Sequence, residues 1–199
     1  MKILTIFATL CFSVCFGRIP PELFKILNKQ NLSDYSYVET SARDSSLVYF
    51  YQSKFKNYCV FDKQKIFLNY LERYLKSDAK YWNHQNIQWD SFAFKSSENK
   101  EIFEQTISTI DNKIFLLIDA LSFNTDKQNL TIAEILNTLS SHPIKNHVII
   151  IENMHLLKPR FLRKKEILNK IYSINKKYSI SFHKDRYFNN NAILIAQIK

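Results

Sequence analysis

Lys113-Ile114-Phe115-Leu116-Leu117-Ile118-Asp119 and His147-Val148-Ile149-Ile150-Ile151-Glu152-Asn153 bracket the stretch that decides the fold. Each is a short, nearly continuous apolar run that stops at an acid. Runs of this length, rich in Ile, Leu and Val, read as strands covered on both faces, as in a parallel sheet. Between them Leu130, Ala133, Ile135, Leu136 and Leu139 recur close to helical spacing. Thr131 and Glu134 have the pattern of a capping box at that helix's start. Strand, helix, strand is a βαβ unit, and its crossover is expected to be right-handed. Ligands of open parallel sheets collect at the carboxyl ends of the strands. Asp119 and Glu152 fall there.

Working outward, Pro20 to Asn31 reads as a short amphipathic helix with Leu23, Phe24, Ile26 and Leu27 on its apolar face. Tyr35 to Thr40 reads as a strand. Leu47 to Phe55 reads as helical, although its aromatics also fit a strand. Tyr58 to Asp62 is a second short strand ending in an acid, and Gln64 to Ser77 a helix. Ile87 to Trp89 is a third strand, followed by Asp90 and Ser91, and Glu98 to Ile110 is a helix. Beyond the central unit, Arg160 to Tyr178 reads as a basic helix. Tyr178 to His183 and Ala192 to Ile198 pattern as an antiparallel pair around the turn Asp185 to Asn191. The alternation predicts an α/β fold with a mostly parallel sheet and a C-terminal antiparallel hairpin.

At 199 residues the chain is long enough for one domain with a sizeable core. It contains a single glycine, Gly17, which excludes glycine-rich phosphate loops in their usual form. The net charge of +10 points to an acidic partner or to lysines spread over a solvated surface. Nucleic acid is not the expected partner. The run Lys158 to Lys165 could hold phosphate, but a solvated helix face is the plainer expectation. Residues 1–17 stand apart: Lys2, then an apolar run from Ile3 to Phe16, then Gly17 and Arg18. That is the layout of a secretory signal, with cleavage after Gly17 and one domain over residues 18–199. A buried first strand or helix is the rival reading. Cleavage implies a secreted or periplasmic protein with no membrane span left; retention implies a membrane-anchored or cytoplasmic one. Removal of Cys11 and Cys15 with the signal would leave Cys59 alone, and its apolar surroundings predict a buried thiol. No Cys/His spacing predicts a metal site.

Several strings carry a resemblance. The first is Val38-Glu39-Thr40-Ser41-Ala42-Arg43-Asp44-Ser45-Ser46. Then come Asp62 at the close of the second strand, Trp89-Asp90-Ser91, and Ile118-Asp119-Ala120-Leu121-Ser122-Phe123. The most specific is His142-Pro143-Ile144-Lys145-Asn146-His147-Val148-Ile149-Ile150-Ile151-Glu152-Asn153. Together they resemble class I S-adenosylmethionine-dependent methyltransferases. More narrowly they are similar to a bacterial methyltransferase-like family with Val-Glu-Thr-Gly-Thr, Leu-Asp-Gly-His-Tyr-Ser and His-Pro-Ile-Lys-Asn-His-Val-Ile-Leu-Ile-Asp-Asp strings. The resemblance covers about residues 35 to 199 and is strongest from 114 to 153. It implies S-adenosylmethionine as cofactor, with Glu39, Ser41, Asp62 and Asp90 around it. Asp62 would hold the ribose, and it follows Glu39 by 23 residues, near the usual span of about 20. Asp119 would be the catalytic group at the reacting end, and the acceptor a small molecule or glycan.

The departures fall in the polar site. Ser41 replaces one glycine of the cofactor loop, and a second is lost near Asp44 or Ser45. Trp89 fills another glycine position, Leu121 replaces a histidine, and Glu152-Asn153 replaces paired aspartates. Two outcomes follow: an active methyltransferase-like enzyme, or a non-catalytic exported binding protein on the same scaffold. His142 and His147 are expected to serve the turn before the last parallel strand. His155 is a weaker ligand or base candidate.

Overall fold

The computed structural model describes residues 21–40, 54–62, 87–91, 99–123, 130–157, 163–184 and 189–198. Helix α1 (Pro21–Lys29) is followed by β1 (Tyr35–Glu39), β2 (Asn57–Asp62) and β3 (Ile87–Ser91). Then come α2 (Asn99–Ser108), β4 (Lys113–Asp119), α3 (Ile132–Ser141) and β5 (Val148–Glu152). The chain continues with α4 (Lys164–Ile174), β6 (Ser179–His183) and β7 (Ile193–Gln197). The leader-like segment 1–17 and the expected helix over Gln64 to Ser77 lie outside the described residues. No helix among the described residues is long and apolar enough to cross a membrane.

The strands form one sheet in the order β3-β2-β1-β4-β5-β7-β6. β1 to β5 pair in parallel, and β7 runs antiparallel to both β5 and β6. The sheet's centre is covered on both faces, as its apolar runs require: every residue of β1 is buried, and so are Ile114 to Ile118 of β4. One face carries Val38, Phe61, Leu116, Ile118, Ile149 and Ile151. Against it lie α2 with Phe103 and Ile107, α3 with Ile135 and Leu136, and α4 with Ile167 and Ile171. The other face carries Tyr37, Phe115, Leu117, Ile150 and Ile195, with Leu27 of α1 packed on it.

Local sequence sets the helix ends. Thr131 Oγ1 accepts the Glu134 N–H at 3.2 Å, and the Glu134 carboxylate accepts the Thr131 N–H at 2.7 Å. The capping box predicted for α3 is therefore present. The basic helix is shorter than the expected Arg160 to Tyr178. Asn175 ends it in extended backbone and takes the Lys177 N–H on Oδ1 at 2.9 Å, a local bond that competes with helix continuation. Tyr178 then turns into the core, where its hydroxyl oxygen accepts the His147 N–H at 3.0 Å. Phe55 is not helical either. It sits in the bend before β2, buried 5.2 Å from the Tyr37 ring and 5.4 Å from Phe115. The rest of that segment, residues 47–53, lies outside the described residues. β3 is longer than expected and includes Asp90 and Ser91.

The hairpin expectation holds for β6 and β7, with one addition. β7 enters the sheet between β5 and β6, pairing Ile151 with Leu194 as well as Phe182 with Leu194. Cys59 is buried and forms no disulfide among the described residues.

Candidate functional site

The strand order reverses between β1 and β4: β2 and β3 lie to one side, β5, β7 and β6 to the other. At such a switch point the connections leave in opposite directions and open a crevice at the carboxyl ends. The Thr40 N–H donates to the Leu117 carbonyl at 3.1 Å, which carries the β1–β4 ladder to the lip of that crevice.

Glu39 stands at the end of β1 and is 2% exposed. A buried carboxylate is costly unless it is hydrogen-bonded. Tyr37 precedes it by two residues, so strand periodicity puts both side chains on one face. The Tyr37 hydroxyl donates to Glu39 Oε2 at 3.0 Å. Burial first, and then the Glu39 carboxylate, push the Tyr37 phenol far above its usual range, with a further contribution from Glu152. Tyr37 therefore stays a donor, and the charges of Glu39 and Glu152 act on the same phenol. Beside Glu39, Thr40 is buried, and its Oγ1 has no hydrogen-bond partner among the described residues.

Asp119 and Glu152 are register partners at the last rung of β4 and β5. Asp119 is half-buried, and its Oδ1 accepts the Leu121 N–H at 3.0 Å and the Asn153 side-chain amide at 2.7 Å. Asn153 adopts left-handed backbone, φ 57°, which asparagine tolerates better than most residues. That turn starts the short helix Met154–Leu156, and Ala120–Phe123 is the matching short helix after β4. The two short helices touch. Each carries one exposed leucine, Leu121 and Leu156. Asp119 thus ties two strand ends together at the mouth of the crevice.

Asp62 closes β2, in register with Ser91, and Asp90 stands one residue earlier, in register with Phe61. Asp62 thus stands at the carboxyl end of the sheet level with Asp119, Asp90 one residue short of that level, and Glu39, opposite Val60 and Leu117, two residues short. Ser41 lies outside the described residues. His155 is exposed on the short helix after β5. His142 and His147 are buried at the opposite, amino end, and both bond to backbone. His142 Nε2 is 2.9 Å from the Ile110 carbonyl, and His147 Nδ1 accepts the Ile114 N–H at 3.0 Å. Sequence reasoning gave no role to Tyr37, which was visible from its two-residue spacing to Glu39. Thr40 and Asn153 entered only as members of the resembling strings, Asn153 in place of an aspartate, and their contacts depend on strand register.

No protein-family profile matches the chain, and no curated protein does. Solved structures do match. The chain is similar to an rRNA methylase from Streptococcus thermophilus (TM-score 0.55, 11% identity, 91% of this chain and 98% of that one). It is similar to an S-adenosylmethionine-dependent methyltransferase from Clostridium acetobutylicum (TM-score 0.53, 12% identity, 98% and 99% of the two chains). A Streptococcus mutans protein of the methyltransferase class, solved in complex with SAH, matches at TM-score 0.52 and 12% identity, over 87% of this chain and 97% of its own. This is the class I methyltransferase fold. At such identities the likeness is one of fold.

Proposed function

We propose that the chain is a methyltransferase-like protein that binds S-adenosylmethionine at the carboxyl ends of β1 to β4 and acts on a small molecule or a glycan. The observation that carries this reading is the buried, hydrogen-bonded Glu39 at the β1/β4 reversal of a methyltransferase sheet. The donor set fits such a cofactor. Glu39, Asp119 and Glu152 give the carboxyl end a negative character that suits a sulfonium cation. The Thr40 hydroxyl, without a partner among the described residues, is a buried polar group that a ligand can complete.

In this reading Glu39 and Ser41 border the cofactor's amino-acid end, Asp62 holds the ribose hydroxyls, and Asp90 lies toward the adenine. The bound cofactor supplies an electrophilic methyl group. Asp119 is the catalytic residue, orienting the acceptor's nucleophile, while Asn153 and the Leu121 N–H fix the carboxylate's direction.

Calorimetric titration of S-adenosylmethionine and its demethylated product into the full chain tests the proposal. Micromolar binding is expected. Asp62→Ala is expected to weaken it about tenfold or more, the worth of a charged hydrogen bond. Asp119→Asn is expected to leave that affinity unchanged and to abolish turnover in an acceptor screen. Absence of heat and of thermal shift at millimolar ligand refutes cofactor binding. Binding without turnover of any acceptor leaves the non-catalytic binding scaffold as the reading.

A further inference from the structure

Helix α4 carries cations at both ends, and only one end suits them. The stretch Arg163 to Lys177 holds Arg163, Lys164, Lys165, Lys170, Lys176 and Lys177 against one acid, Glu166. Lys176 and Lys177 follow the helix, where the macrodipole favours positive charge. Arg163 is the N-cap, and Lys164 and Lys165 open the first turn, where the dipole disfavours them. Three of these charged groups have structural work. Lys164 Nζ lies 3.5 Å from the centroid of the Phe182 ring. Lys170 donates to Asn137 Oδ1 at 2.8 Å. The Glu166 carboxylate accepts the Arg163 N–H at 2.8 Å and so serves the helix start. Lys165, Lys176 and Lys177 are exposed, and the ion pairs among the described residues lie elsewhere, at Lys56–Asp111 and Lys100–Glu104.

The helix has an inward and an outward side. Ile167, Ile171 and Ile174 are buried in the large core. Lys165, Asn169 and Tyr172 follow one another at spacings of four and three, so they share the opposite side. All three are exposed. Tyr172 is 42% exposed, with Lys165 before it and Lys176 after it along the chain. The 11 residues of α4 give this side a length of about 16 Å.

A lysine in the first turn is a poor choice for the helix, and an exposed aromatic ring is a poor choice for a solvated face. Both are good choices for a flat polyanion with an apolar interior. We propose that the outward side of α4 docks on the surface of a bilayer containing anionic phospholipid. Lysines act there as point charges within a Debye length of the headgroups. A tyrosine ring, apolar in body and polar at its tip, sits at headgroup level. The isoleucines are committed to the core, so the helix lies on the membrane and does not enter it. Single-stranded nucleic acid fits less well. It takes a groove with several aromatic platforms, and this side is convex with one ring. Docking through α4 does not depend on cofactor binding at the β1/β4 reversal.

The test is cosedimentation of the full chain with phosphatidylcholine vesicles, with and without phosphatidylglycerol. Phosphatidylcholine alone reports any binding through the apolar run of residues 1–17, and the quantity of interest is the gain on adding the anionic lipid. That gain is expected to be large at low salt and to vanish at high salt. The triple variant Lys165→Ala/Lys176→Ala/Lys177→Ala is expected to reduce it about a hundredfold. A control triple, Lys29→Ala/Lys56→Ala/Lys100→Ala, removes the same net charge from other elements and is expected to cost much less. Tyr172→Ala is expected to weaken docking severalfold. Lys165→Ala alone is expected to weaken docking while leaving thermal stability equal or higher, which a merely structural lysine would not do. A mixed-sequence single-stranded oligonucleotide at the same ionic strength is the second arm. Indifference to phosphatidylglycerol, equal losses in the two triple variants, or tighter binding to the oligonucleotide than to the anionic vesicles overturns the proposal.

Discussion

His147 makes the stability of this fold depend on pH in a calculable way. Its ring is fully buried, Nδ1 is committed to the Ile114 N–H, and Nε2 has no hydrogen-bond partner among the described residues. The His142 ring lies 5.0 Å away. Burial first, and then the neighbouring His142, lower its pKa from 6.5 to about 3. The unfolded chain therefore binds a proton that the folded chain refuses. At pH 7.5 neither state is protonated and the term vanishes. Below the unfolded value it grows by about 1.4 kcal/mol per pH unit, reaching about 2 kcal/mol at pH 5, and it levels off below pH 3. Stability is thus complete above pH 6.5 and is lost progressively as the pH falls toward 3. The assay is urea unfolding of wild type and His147→Gln at pH 7.5, 6 and 5. Glutamine can still accept from Ile114 but does not titrate. The variant is expected to be less stable at pH 7.5, and the gap should narrow by about 2 kcal/mol at pH 5. Where the variant does not fold, the imidazole resonances of the wild type serve instead: those of His147 should stay fixed from pH 8 to 4.5. A gap that is constant with pH, or a His147 ring titrating near 6.5, refutes the reasoning.

Two further substitutions probe the frame of the site. Asn153→Gly keeps left-handed backbone accessible and removes only the bond to Asp119, so thermal unfolding should show a loss of about 1 kcal/mol. Asn153→Ala adds the cost of φ 57° on a residue with a Cβ and should lose about 1 kcal/mol more; equal losses would mean the backbone term is absent. Thr131→Ala opens the capping box of α3 and should cost about 1 kcal/mol in the same assay. The double variant Thr131→Ala/Glu134→Ala should cost less than the two single losses added, because both bonds of the box share those residues.

The central βαβ unit was legible because its strands are covered on both faces and their sequence is apolar without interruption. The α3 cap was legible because a capping box is local. The hairpin was legible too, but its place in the sheet was not drawn from the same residues, although they carry it. Ala192 to Ala196 is a continuous apolar run and is buried throughout, as a strand flanked on both sides must be. Ser179 to His183 alternates and is only partly buried, as an edge strand can be. Comparing the two patterns would have put β7 inside and β6 outside. The length of α4 was misread because apolar spacing continues to Tyr178, whereas a single side-chain bond at Asn175 stops the helix. The tie between Asp119 and Asn153 was not legible at all. It joins residues 34 apart in the chain and exists only once β4 and β5 are in register.

Stability and ligand binding make different demands on the carboxyl end of this sheet, and Glu39 separates them. The cores on the two faces are built from the strands and from α1 to α4, none of which needs glycine. A chain can therefore lose the glycines of a cofactor loop and keep the fold. Glu39 does not fit that account. Its neighbours on the same face are Tyr37, Phe115 and Leu117, and an apolar residue of similar volume would pack there without desolvating a carboxylate. Replacing buried charge by well-packed apolar side chains is commonly neutral or stabilising. As a purely structural residue, Glu39 is thus a poor choice, and the fold commits the Tyr37 hydroxyl to holding its carboxylate. The arrangement gains a purpose if the carboxylate meets a cationic or hydroxyl-bearing ligand at the strand reversal. That places the burden of the functional reading on Glu39 itself.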